Sequence, residues 1–540
     1  MAQRRRQNRK SEVRPAARAA AALPTPPLVP RKEKFIWAGA LLAVYALIAT
    51  WGQFDFRDLM GYYNLQADAF LAGHLYIAPT PAQGYLQDMI PFEGHYYLQW
   101  GPFPAVLHVA AKLAGASLSD RAACLLAGWL TALVFLATVL GLQRTYFPAA
   151  PKWICRWVFF AFALGTPAVI VALRGTIYHE SIAWAALFVM AAFWAFLAYA
   201  EKPSPGRALL CGAAIGLALL SRVTQGLYAA GLLAGMAALL WQAKQPLKRA
   251  LAHLAAFAVP VGASVLLMLA YNQARFHSPW DYGLQYLPTP YANLRPFALD
   301  RVWENFRHYA LAPIHFRHEL PWMNHEGWQP LVHTAQAEDM SSLLLASPFL
   351  MLGALAWRVL RKRDEFPAAL RIFTLTAAGS ALLVFFALLC YFWAARRYMQ
   401  DFVPALMIVA FIGAAARAKP GASWRRWQWP ARVILLVAAA IELQILFFQP
   451  MFHPPDDPNQ METFVAWSPL LRRIAPGKKL DEEDVISHNE LGIQCLGEHR
   501  YAEAVRHFER AAELAPDSTL IPQNLRLARQ LAAQARSQAQ

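Results

Sequence analysis

The run "SIAWAALFVMAAFWAFLAYA", residues 181–200, contains no Asp, Glu, Lys, Arg or His. At 1.5 Å per residue, a helix of about 20 residues crosses the ~30 Å hydrocarbon core of a bilayer. With no water there to satisfy the backbone, the helix is the form such a segment takes. Comparable runs lie near 35–52, 120–142, 153–173, 207–221, 225–241, 251–271, 341–360, 369–393, 401–417 and 431–449. Together they predict an all-α polytopic membrane protein with about eleven spans. Composition agrees: of 540 residues, 57% are hydrophobic and 16% charged, and the apolar residues recur along the chain instead of gathering in one soluble core.

The formal net charge of +16 would suggest nucleic acid as the partner of a soluble chain. Here the Lys and Arg residues sit in short clusters between apolar runs, where they act as topology signals, and no nucleic-acid partner is expected. Residues 1–34 are basic, rich in Ala and Pro and without apolar periodicity, which predicts a disordered cytoplasmic tail. Alternating from that tail puts "QRTYFPAAPK", "EKPSPGR", "AKQPLKR", "RVLRKRDEFPAALR" and "RAKPGASWRRWQWPAR" inside, each carrying Lys and Arg, as the positive-inside rule requires. The outer face then receives the large loops 53–119 and 272–340, the short "RGTIYHE" and "AARRYMQD", and everything from 450. This predicts a multi-pass protein of a bacterial-type cytoplasmic membrane, with its N-terminus cytoplasmic and its C-terminus outside. The segment 102–117 is short, opens on two prolines and carries His108 and Lys112, so an interfacial helix is expected there.

The five cysteines show no CxxC spacing, and four lie in apolar runs, so neither a disulfide framework nor a zinc site is inferred. After a linker at 450–484, the segment 485–540 is charged and water-soluble in character. Leu491, Gly492, Tyr501, Ala504, Phe508, Ala511 and Pro516 stand at the spacing of one tetratricopeptide repeat, with Cys495 and His488 in place of the usual aromatics. A lone repeat leaves faces to cover, so it is expected to pack on the membrane domain or on a protein partner.

The outer face gathers the chemistry. In "FDFRDLMGYYNLQADAFLAGHLYI", residues 54–77, three aspartates and a tyrosine ladder follow directly on the first span. Asp58 is the candidate general base, with Asp55 as the alternative. Either aspartate could serve more plainly as a helix cap or as a partner of Arg57. Arg174, Arg222, Arg275, Arg396 and Arg397 all fall on the outer side, at helix ends, where a planar guanidinium suits a phosphate; snorkelling or local pairing is the plainer role. Tyr62, Asp68, Glu93, Tyr97, His179, Glu180, Asn272 and Tyr398 are candidate substrate-binding residues. Glu180 also suits the start of a helix. No cofactor and no metal ligands are assigned. Asp58, His179 and Glu180 offer oxygen and imidazole ligands suited to a divalent ion, but sequence spacing does not bring them together.

Asp58, Tyr62 and Gly73, followed by Gly94, Tyr97, Pro102 and Pro104, resemble the first extracytoplasmic loop of the GT-C polyprenyl-phosphate-sugar glycosyltransferases. These include glycosyltransferase family 39, the protein O-mannosyltransferases and the aminoarabinose transferases that modify lipid A. Arg397, Tyr398 and Pro404 in "RRYMQDFVP" resemble a later segment of that family. The chain departs from the pattern at Leu59, where an acidic residue is usual, and at Trp100 and Gly101, where a Lys precedes the family's Pro-Pro pair. The resemblance implies a GT-C-like bundle and an inverting sugar transfer from a polyprenyl-phosphate donor to a glycan, lipid or protein outside the membrane. The other readings are a lipid-linked substrate transporter or flippase, and a non-catalytic assembly factor acting through its C-terminal repeat. A transporter predicts ionisable residues in mid-span and inverted repeats; the charges here cluster at helix ends.

Overall fold

A computed structural model describes residues 29–78, 89–287, 295–316, 322–324, 336–338, 340–418, 425–448, 458–474, 478–518 and 520–539. The reading of a disordered tail at 1–34 falls largely outside these residues. The described residues form a bundle of helices with three two-stranded ribbons. Helix α1 (Arg31–Ala49) leads to a loop and the short α2 (Tyr62–Leu71). A hairpin follows, β1 (Ile90–Phe92) with β2 (His95–Tyr97). Its two-residue turn is Glu93–Gly94, both at positive φ, the mirror-image turn that matches strand twist and that a glycine at 94 makes accessible. Then come α3 (Phe103–Leu113), which opens on Pro102 and Pro104, and α4 (Asp120–Tyr146), capped by Ser119 Oγ accepting from the Ala122 N–H.

The run predicted as one span at 153–173 is divided into α5 (Lys152–Leu164) and α6 (Ala168–Leu173). Gly165-Thr166-Pro167 intervenes, and Thr166 turns its hydroxyl onto the Phe162 carbonyl; proline cannot donate to the ladder there. The quoted run lies in α7 (Ile177–Glu201), which packs on α4 and on α8 (Pro205–Ser221). Next are α9 (Tyr228–Gln242) and α10 (Leu247–Phe276). The segment that follows holds α11 (Val302–Phe306). The predicted span 341–360 is likewise interrupted, as α12 (Leu343–Ala346), a 3₁₀ stretch Pro348–Ala356 and α13 (Trp357–Arg361). The bundle closes with α14 (Ala368–Cys390), α15 (Val403–Ala415) and α16 (Arg425–Phe448).

Among the described residues, six helices are long and apolar enough to cross a membrane, and three shorter apolar helices accompany them. On α10, Val259 and Leu266 are 66% and 67% exposed. A continuous apolar face left open in this way is a lipid-facing surface. The opposite side of α10 meets α8 so closely that a Cβ on Gly212 would stand 2.1 Å from the Phe257 carbonyl oxygen, and one on Gly216 2.3 Å from Ser264 Oγ. This small-xxx-small contact lets the two backbones approach, since in lipid van der Waals fit replaces the hydrophobic drive between helices.

Beyond the bundle, α17 (Pro458–Ile474) occupies much of the segment read as a linker. It is followed by α18 (Lys478–Gly497), α19 (Tyr501–Leu514) and α20 (Ile521–Ala539). Cys495, Ala504, Phe508 and Ala528 form a small core, and Gly492 admits the Phe508 ring. The contact between α17 and the membrane bundle is local: Thr463 Oγ1 donates to the Trp51 carbonyl and accepts from Gln53 Nε2, both at 3.4 Å.

Candidate functional site

Asp58 sits in the loop between α1 and α2 and is tied into a reciprocal clasp. Its Oδ1 accepts from the Asp120 N–H at 2.8 Å, capping α4. Asp120 in turn accepts from the N–H groups of Leu59, Met60 and Gly61 at 3.0, 2.8 and 3.1 Å. The loop makes this turn because Gly61 takes φ +64°, a conformation other residues adopt only with strain. Asp58 Oδ2 accepts from Asn64 Nδ2 at 2.8 Å. A chain of contacts then runs inward. Asn64 Oδ1 lies 3.0 Å from His108 Nδ1, and His108 Nε2 lies 2.8 Å from Glu180 Oε1. That oxygen also accepts from Trp184 Nε1 at 3.3 Å. Asp58 is solvent-exposed, whereas His108 and Glu180 are fully buried.

Glu180 stands at the head of α7, beside His179 and Tyr178. His179 Nδ1 is 2.8 Å from Thr176 Oγ1, and its Nε2 meets no partner among the described residues. The Arg397 guanidinium lies over the Tyr178 ring at 5.2 Å and over the Tyr398 ring at 4.9 Å; Arg222 lies over the same Tyr398 ring at 4.6 Å. Arg222 Nε also donates to Asp401 Oδ2 at 2.8 Å, and Arg397 pairs with Glu338. A planar cation over an electron-rich ring keeps its donor edges directed. Arg174 is half-buried at the end of α6, four residues before Tyr178.

A third group joins through α2. Gln66, two residues from Asn64, donates from Nε2 to Tyr271 Oη at 2.7 Å. Arg275 lies 3.8 Å above the Tyr271 ring and donates to Asn272 Oδ1 at 2.7 Å and to the Leu98 carbonyl. Its hydrogen-bond acceptors among the described residues are thus neutral. Tyr97 packs edge-on to Phe276 at 5.4 Å, and burial, then the nearby Glu93 carboxylate, pushes its phenol up. The short α2 therefore links the carboxylate chain to the arginine beside the hairpin.

The remaining predicted residues are engaged elsewhere. Asp55 forms an exposed pair with Arg57. Asp68 is paired with Lys112 at 2.9 Å, and Glu93 with His277 at 3.0 Å. Arg396 is buried against Glu442 and the Ser341 carbonyl, away from the Tyr398 stack that its neighbour joins. Tyr62 is buried at the start of α2, in an apolar cluster with Tyr63 and Tyr178. The three residues considered for a divalent ion do not meet: Asn64 and His108 lie between Asp58 and Glu180. Among the described residues, no group of three His, Cys, Asp or Glu is assembled for a metal.

The sequence does not single out Asn64, Gln66, Asp120 or Asp401, and it marks His108 only as a residue of the expected interfacial helix. His108 carried a signal, being an ionisable residue inside the apolar stretch "PFPAVLHVAA". It is not a solvated residue of a surface helix: α3 presents its His108 face to α2 and α7, and only its outer face is open. What seats α3 there is Gly101, where a Cβ would fall 2.0 Å from the Leu220 carbonyl oxygen.

No family model matches the chain, and a search of curated proteins found no match. Solved structures do resemble it. ArnT from Cupriavidus metallidurans in the apo state is 16% identical, with 82% of this chain and 72% of that one covered and a TM-score of 0.45. The same protein bound to undecaprenyl phosphate gives 17%, 90%, 80% and 0.44. The archaeal oligosaccharyltransferase AglB from Archaeoglobus fulgidus, in complex with an inhibitory peptide and a dolichol-phosphate, gives 14%, 83%, 59% and 0.43.

Proposed function

We propose that this protein is a membrane glycosyltransferase that moves a sugar from a polyprenyl-phosphate donor to a hydroxyl-bearing acceptor outside the cytoplasmic membrane, with inversion and with Asp58 as general base. One observation carries the reading. The hydrogen-bond chain that begins at the exposed Asp58 ends at the head of α7, where Tyr178 underlies Arg397 and Arg397 shares the Tyr398 ring with Arg222. A carboxylate able to take a proton is thereby tied, through Glu180, to the helix head that two residues earlier carries Tyr178, the ring beneath one of the guanidiniums able to steady a departing phosphate. Taking the proton and steadying the phosphate are the two electrostatic tasks of transfer from a lipid phosphate.

In this reading the acceptor hydroxyl loses its proton to Asp58 as its oxygen bonds to the anomeric carbon, and the bond to the donor phosphate breaks with its electron pair. Arg222, Arg397 and Arg275 receive the phosphate. Arg174 and His179 line the way to it, and Tyr97, Asn272 and Tyr398 border the sugar and acceptor. The charges of Arg222 and Arg397 are matched at rest by Asp401 and Glu338, which limits the cost of holding cations at a membrane boundary.

The test uses full-length protein in nanodiscs with undecaprenyl-phosphate-linked sugars as donors, read by release of undecaprenyl phosphate. In parallel, lipid, polysaccharide and glycoprotein fractions of a deletion strain are compared with the parent by mass spectrometry. The expected result is donor turnover together with loss of one glycan in the deletion strain. Absence of both across the donor set overturns the reading.

A further inference from the structure

The contacts inward of Asp58 fix where the hydrogens must be. Asn64 Nδ2 faces Asp58 Oδ2 at 2.8 Å and the Leu118 carbonyl at 3.0 Å. Carboxylate and carbonyl oxygens accept, so both amide hydrogens are used and the amide orientation is set. Asn64 Oδ1, the acceptor end, therefore faces His108 Nδ1, and that nitrogen carries a hydrogen. One contact remains, His108 Nε2 to Glu180 Oε1 at 2.8 Å, and it needs one proton between two atoms that could each accept.

The surroundings decide which atom gives it. His108 and Glu180 are 1% and 0% exposed, and Glu180 Oε2 meets no donor among the described residues. A carboxylate there would leave part of its charge without a hydrogen bond in a site closed to water, at high cost. A carboxylic acid leaves only a carbonyl lone pair unmet. Tyr63 lies alongside the His108 ring, at 6.2 Å between centroids, and Trp184 supplies a single long N–H to Oε1.

We propose that Glu180 and His108 are positioning residues for Asp58. Glu180 donates its carboxyl hydrogen to His108 Nε2, which holds His108 as the Nδ1–H tautomer. Nδ1 donates to Asn64 Oδ1, and this locks the amide that presents Nδ2 to Asp58. Asp58 is then gripped on Oδ1 by the Asp120 N–H and on Oδ2 by Asn64, with its remaining lone pairs turned to solvent. The chain is a clamp and not a proton wire, because a proton cannot pass through the Asn64 amide without leaving an imidic acid behind.

The consequence for catalysis rests on the proposed role of Asp58 as base; the hydrogen-bond assignment does not. The experiment therefore has two arms, on full-length protein in nanodiscs. Infrared difference spectra at pH 7 compare the parent with Glu180→Gln; a protonated-carboxyl band present in the parent and absent from the variant is expected. In donor turnover, Glu180→Gln, whose amide N–H still donates to His108 Nε2 and gives up only the acceptor for the long Trp184 contact, keeps kcat within about threefold. Glu180→Ala and His108→Phe lower kcat by about a hundredfold with little change in KM, the scale on which a misdirected catalytic group loses rate. Lack of the carboxyl band, or a Glu180→Gln protein as impaired as Glu180→Ala, overturns the proposal. The band without any turnover in the parent retains the clamp and removes the transferase reading.

Discussion

Asp58 uses one carboxylate for two purposes, and this separates its chemistry from its structural role. As a cap it needs only an oxygen for the Asp120 N–H, which asparagine supplies about as well as aspartate. As a base it needs a charge that asparagine lacks. Asp58→Asn keeps that cap but sets its amide, donor to donor, against Asn64 Nδ2, so it is expected to elute like the parent and melt slightly lower while donor turnover falls by about 10²–10⁴-fold, the range a positioned base contributes. A variant that keeps more than a tenth of parental turnover assigns the base to another group, and Asp55, paired with Arg57 in solvent, would be the next to substitute. At this scale the sequence singles out residue types that are rare in their setting, such as an aspartate directly after an apolar run, and the structure places that aspartate at the head of the Asn64–His108–Glu180 chain. Asn64 and Gln66 were not legible. Polar amides on a short helix are common, and only the fold shows that one faces Asp58 and the other Tyr271.

Elements were legible where hydropathy alone decides them, as for α4, α7, α10 and α14, and not where a short local signal cuts a long apolar run. Gly165-Thr166-Pro167 divides α5 from α6, yet by composition the run remains membrane-length. The α8–α10 contact depends on residues that hydropathy ignores. Gly212→Leu must push its side chain into the Phe257 carbonyl, and overpacking of this kind costs roughly 1–3 kcal/mol. The expected outcome is a melting temperature lower by several degrees in detergent, with Gly206→Leu, which meets open space, as the unaffected control. The C-terminal helices offer a different test. Burial pulls His488 down from 6.5 to about 4 against the opposing pull of Asp484, with His507, Arg510 and Arg472 adding to the fall. His488 Nδ1 and His507 Nδ1 are 3.1 Å apart, so one must accept while the other donates, and protonating both breaks the contact. Because the folded value lies below the unfolded one, the unfolded chain binds the extra proton between about pH 6.5 and 4. The contribution is intact above that window and is lost as pH falls through it, by up to ~3 kcal/mol. Hydrogen exchange in α18 and α19, corrected for its intrinsic pH dependence, should rise across that window in the parent and much less in His488→Gln. An equal rise in both removes His488 as the cause.

For the whole molecule, orientation follows from one contact and one charge pattern. Thr463 of α17 bonds to the Trp51 carbonyl and to Gln53, so the C-terminal helices lie at the same end of the bundle as the loop that carries Asp58. Whatever side that loop occupies, the helices share it. The side itself comes from the sequence, whose Lys-rich and Arg-rich loops alternate with the loop of Asp58 and would face the cytoplasm. Reporter fusions at residues 60 and 480 should therefore agree with each other and report outside, and a fusion in the loop at 202–204 should report inside. Agreement between 60 and 480 with both reporting inside would invert the protein, leaving the packing intact but placing the proposed site where a donor exported across the membrane could not reach it. Disagreement between the two would contradict the α17 contact itself. The two halves of the prediction thus test different things: the relation between 60 and 480 tests the fold, and their absolute side tests the charge rule on which the acceptor's location depends.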